Sequence, residues 1–158
     1  MNSIRLTESP LSPSGPRLIL AGSTPPDAQL HEAVERAGGT IVAEWGDHAL
    51  DRLGSPVALD ADPIKALARH YHALPYGSRS FADRAAGLLQ QVRLCRADGV
   101  VFWLIEQEEA LVWDLPLQQR GLHQLSIPSL TLTRCAWQAD AGVLEAVRSF
   151  AERLGAGT

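Results

Sequence analysis

The sequence predicts a three-layer α/β domain in which a four-stranded parallel sheet, ordered 2-1-3-4, carries helices on both faces. Two observations predict it. Short apolar runs alternate along the chain with stretches of helical period, the pattern of strand–crossover–strand units. The runs are also apolar at nearly every position, as strands buried on both faces are. A composition of 46% hydrophobic and 20% charged residues over 158 residues fits one folded domain. That domain is expected over residues 16–155, with residues 1–15, rich in Ser and Pro, as a flexible lead-in.

The first strand is RLILAG (17–22), ending in Gly. A helix is expected next, capped by Ser23 or Thr24, with Pro25 and Pro26 in its first turn and Gly38-Gly39 as its stop. Leu30, Ala33, Val34 and Ala37 share one face of it. TIVAEW (40–45) is the second strand, and Asp62-Pro63 opens a helix reaching Ala73. The loop 74–80 leads into a helix whose face carries Ala85, Leu88, Leu89, Val92 and Cys95. GVVFWLI (99–105) is the most hydrophobic strand and takes the centre of the sheet. Asp114 as cap and Leu115-Pro116 as first turn start a fourth helix reaching about Leu125, SLTLTR (129–134) is the last strand with Cys135 following it, and Val143, Val147, Phe150 and Leu154 mark a closing helix over 140–154. This layout is flavodoxin- or Rossmann-like, so ligands are expected beyond the carboxyl ends of the strands, at loops 22–26, 45–48, 105–110 and 134–138.

A net charge of -4 without a Lys/Arg cluster argues against nucleic acid. Thirteen of the fourteen basic residues are Arg, Lys65 being the exception. The apolar stretches are shorter than the roughly 20 residues a membrane helix needs, and the N-terminus lacks a signal-peptide pattern. A cytoplasmic location and no membrane association are the expectation. The turn Gly22–Pro26 lacks both GxGxxG and P-loop patterns, and its prolines remove two anion-binding donors. Ser23 and Thr24 remain ligand-facing candidates by position.

Glu106, Glu108 and Glu109 crowd the loop after the central strand, where paired carboxylates could do acid–base work. None of His31, His48, His70, His72 and His123 has a metal-ligand spacing with them, so no metal site is expected. Cys135 lies at the ligand-docking edge but has no neighbouring base in TRCAWQAD; Cys95 reads as a small core hydrophobe. Trp45, Trp103, Trp113 and Trp137 fall near strand ends, where they could line a pocket or meet a partner.

Taken together, the blocks RLILAGSTPPD, RAGGTIVAEW, ADPIKALARHYHALP, ADGVVFWLIEQEEALVWDLPLQQRGL and IPSLTLTR resemble the C-terminal domain of the 2-hydroxyacyl-CoA dehydratase and benzoyl-CoA reductase subunit family. The likeness runs over roughly residues 16 to 154, in the order and spacing of the blocks. It implies a doubly wound α/β domain, a related partner subunit, acyl-CoA substrates and an iron–sulfur cluster held by cysteines.

Two departures stand out. The family cysteine after the strand matching 99–105 corresponds to Glu108, and the family Pro-Cys after the helix matching 62–73 corresponds to Pro75-Tyr76. Tyr76 joins the ligand- or partner-facing candidates on that ground. Two cysteines cannot supply a cluster's thiolate set, so no cofactor is expected. The resemblance therefore implies a truncated, cluster-free relative. It would act as an accessory or partner-binding domain, docking with a dehydratase- or reductase-like subunit or with itself, and could bind acyl-CoA. The alternative is a small ligand-binding protein or enzyme that reuses the strand-end pocket with Glu106, Glu108, Glu109 and Cys135.

Overall fold

A computed structural model describes residues 15–46, 56–59, 62–73 and 83–157. The elements run β1 (Arg17–Gly22), α1 (Gln29–Arg36), β2 (Thr40–Gly46), α2 (Pro63–Ala73), α3 (Arg84–Cys95) and β3 (Gly99–Ile105). A 3₁₀ turn (Leu111–Trp113), α4 (Leu115–Gln124), β4 (Ser129–Cys135) and α5 (Ala141–Ala156) follow. The sheet has the order β2-β1-β3-β4 and every pairing in it is parallel, as the alternation of elements predicts.

Strand parity builds the three layers. Leu18 and Leu20 of β1, with Val101 and Trp103 of β3, pack under Leu30, Ala33 and Val34 of α1 and Val147, Phe150 and Ala151 of α5. Their alternates Ile19, Ala21, Val100, Phe102 and Leu104 pack under Leu88 and Val92 of α3 and Leu115 and Leu122 of α4. All but the last residue of β3 is buried, which fits its central place. α2 joins neither core; Ala66 is its buried residue, and Ile64, Leu67 and Tyr71 are exposed.

Three local expectations need correction. First, α1 begins at Gln29, and Ala28 occupies the cap position without a side-chain bond. The Pro25-Pro26 pair explains the delay, because a residue before proline is pushed out of the helical region. Asp27 then bonds the backbone N–H of Gln29 at 3.0 Å, a local turn in place of a further helical one. Second, Asp114 stands at the start of α4 but makes no capping bond. Its carboxylate goes to Arg84 Nε, 3.1 Å away, and ties the start of α3 to that of α4. Third, Cys135 is the last residue of β4 and is buried there, so it does not follow the strand.

The carboxyl ends of the two central strands meet at Gly22. Its φ is 109°, and a Cβ there would stand 2.5 Å from the carbonyl oxygen of Trp103. Replacement of Gly22 by Ala therefore meets both left-handed strain and a backbone clash that no side-chain rotation relieves. We expect Gly22→Ala to lower unfolding free energy by about 3 kcal/mol, read from the urea midpoint at unchanged m-value.

Candidate functional site

The carboxyl edge of the sheet carries the loops singled out in the sequence, and its donors and acceptors are largely used within the fold. Ser23 is buried. Its N–H donates to Trp103 O at 2.9 Å, and its hydroxyl oxygen accepts from the N–H of Ile105 at 3.2 Å. The side chain thus carries the β1–β3 ladder one step past the strand end. It thereby serves the fold.

Near the point where strand order reverses, between β1 and β3, Trp45 packs on Gly87, where a Cβ would come within 2.5 Å of the indole. Among the described residues, cavities of about 10 Å³ lie beside it, one bordered by Ser23, Thr24, Glu44 and Trp45, another by Trp45, Arg84, Leu111 and Gln118. Each has room for about one water. A wider, open groove of about 410 Å³ lies to one side, between the Thr24–Ala28 loop and the pair His31 and Glu44. There His31 Nε2 donates to Glu44 Oε1 at 2.8 Å, while Nδ1 is buried without a hydrogen-bond partner. The nitrogen left for base chemistry is closed to solvent. Sequence reading missed this pair, since a 13-residue separation between a helix and a strand has no local signature.

The three glutamates do not converge. Glu106 and Glu109 are exposed and Glu108 is half-buried; none of them lines the three concavities. Glu106 is fixed through its backbone, donating its N–H to Cys135 O at 2.8 Å, and its carboxylate lies 3.8 Å from exposed Arg134. Glu108 has a structural task. Its Oε1 accepts from the N–H groups of Ala110 and Leu111, each at 3.1 Å, and so caps the 3₁₀ turn. An acceptor two to three residues ahead of LVW is the sequence signal for it.

The four tryptophans separate. Trp103 is 0% exposed, a core residue, which removes it from the partner-facing set. Trp45 is half-buried. Trp113 and Trp137 stand out from the edge, 84% and 61% exposed. Tyr76 lies outside the described residues.

Cysteine placement decides what the loop can hold. Cys135 packs in the core beneath α1 and α5, at the carboxyl end of the sheet. Cys95 belongs to α3, on the opposite face, and its carbonyl accepts from Arg17 Nε at the amino end of β1. Seven-residue strands put these ends about 20 Å apart. Burial also pushes the Cys135 thiol above its ordinary pKa, with a smaller push from Asp140, whereas a cluster binds thiolates. Among the described residues no group of three or more His, Cys, Asp or Glu could hold a metal ion. The residues present do not fit an iron–sulfur cluster.

The chain matches the family described as 2-hydroxyglutaryl-CoA dehydratase, D-component, over residues 3–154, and it belongs to that family. No curated protein matches it. Among the described residues no helix is long and apolar enough to cross a membrane.

Two outcomes follow from this geometry. Glu108→Ala removes the cap and should cost about 1 kcal/mol of stability, with Glu108→Gln milder because an amide oxygen can still accept; urea unfolding measures both. A raised thiol pKa keeps Cys135 protonated as the pH passes the ordinary thiol value. Thiol labelling of the native protein at about pH 9, followed by peptide mapping, should therefore modify half-buried Cys95 well before buried Cys135.

Proposed function

We propose that this member of the D-component family works without a cluster, as an accessory or partner-binding domain in a cytoplasmic acyl-CoA system. Its partner would be a dehydratase- or reductase-like subunit, met at the carboxyl edge of the sheet. One observation carries the reading. The loop position where the resemblance calls for a cysteine holds Glu108, whose carboxylate is spent on capping the turn that follows. Such a residue maintains the loop's shape and offers no soft ligand to iron.

Two further features support docking over catalysis. Trp45 borders both small cavities near the strand-reversal point, each far below the size of an acyl-CoA, and the groove of about 410 Å³ beside them is open rather than enclosed. Trp113 and Trp137 are exposed at the same edge, and large exposed aromatics mark interaction surfaces. Reuse of the edge as a small active site with Glu106, Glu108, Glu109 and Cys135 has less in its favour. The glutamates line no described concavity and the thiol sits in the core.

Affinity capture from the native organism tests the proposal. A dehydratase- or reductase-like subunit should co-purify with the wild type and be lost with Trp137→Ala, while circular dichroism shows the fold retained. Anaerobic reconstitution with iron and sulfide should leave far less than one cluster per chain. A stoichiometric cluster, by absorbance and iron assay, would overturn the reading.

A further inference from the structure

The open groove of about 410 Å³ beside the start of α1 combines apolar walls with charge of a single sign. Pro25, Pro26 and Ala28 supply the apolar part, and the two prolines bring no N–H to it. Its carboxylates belong to Asp27 and Glu44, and no Lys or Arg lines it among the described residues. Asp27 accepts from the backbone N–H and the side-chain amide of Gln29, at 3.0 and 2.8 Å. Both donors are neutral, so they fix the carboxylate without cancelling its charge. Glu44 spends Oε1 on His31, yet its side chain stays 39% exposed at the groove. The start of α1 offers an anion little, because Asp27 already occupies the N–H of Gln29.

Apolar walls beside carboxylates match an alkyl stem that ends in a cation. The openness of the groove decides what carries that cation. A free small molecule would stay largely in water there, whereas small-ligand sites bury most of their ligand. A side chain presented by a second protein needs no enclosure, since the surface around it excludes the water. Of the two long basic side chains, arginine suits the groove better. Its guanidinium is planar, gives up its hydration more readily than an ammonium, and presents several donors to carboxylates. We propose that the groove seats an arginine side chain of a partner protein, its stem against Pro25 and Pro26 and its guanidinium toward Asp27 and Glu44. The inference rests on the partner-binding reading only for what presents the arginine. A peptide probes the groove without any partner subunit, so the two can fail separately.

Titration of the isotope-labelled full chain with acetyl-Gly-Arg-Gly-amide, followed by backbone amide shifts, provides the test. Saturable shifts should concentrate at Asp27, Ala28, His31 and Glu44. The same peptide with citrulline, which keeps the shape of arginine and drops its charge, should bind roughly tenfold more weakly. Glu44→Gln and Asp27→Asn keep the size of each side chain and remove its charge. Each should weaken the arginine peptide roughly threefold, with the rest of the spectrum unchanged. Absence of saturable shifts at these residues, equal binding of the citrulline peptide, or indifference to both charge variants would each overturn the proposal. Tighter binding of agmatine than of the arginine peptide would also overturn it, in favour of a site for a free amine.

Discussion

Everything in this fold hangs on the pairing of β1 with β3. Their ends lie 81 residues apart in the chain, and both ends of the pair are locked. At the amino end, Arg17 N–H donates to the Asp98 carboxylate and Asp98 N–H donates to Arg17 O, each at 2.7 Å. At the carboxyl end, Gly22 permits the close approach, and Ser23 spends both its amide and its hydroxyl on β3. Between these clasps the two strands alternate side chains into two separate cores, so neither helix layer can form properly without the other strand in register.

The same junction explains why the edge is poor in free functional groups. Groups that would serve a ligand in an open site serve the scaffold here. The Ser23 hydroxyl extends the ladder, the Glu108 carboxylate caps a turn, and Asp114 pairs with Arg84 across the helix starts. Trp45 packs closely on Gly87 beside them. What projects from the edge is aromatic surface at Trp113 and Trp137, which suits contact with another macromolecule better than chemistry on a small one.

Most of the architecture was legible in the residues because apolar runs and helical faces are set by burial. Strand boundaries fall within a residue of those expected for β1 to β4, and the sheet order is the expected one. What was illegible depended on competition. Asp27 and the two prolines out-compete the expected helix start, and Arg84 draws Asp114 away from its cap; neither contest can be judged without knowing which elements meet. The site was harder. A tryptophan in a central strand is buried whichever way it points, so Trp103 could not be partner-facing, whereas Trp113 and Trp137 sit beyond strand ends, where none of the described layers covers them.

The order in which the layers close also bears on synthesis. During translation β1 can meet β2 early, but β3, with its apolar sequence GVVFWLI, emerges much later and finds one of its faces covered only on the α1 side. Its cover is completed by α5, the last described element, through Val147, Phe150 and Ala151. Until the ribosome has released those residues, the nascent chain presents a β-prone, uncharged heptapeptide to its surroundings. Chaperone dependence and premature termination would therefore converge on the same few side chains of α5, far in sequence from the strand they shield.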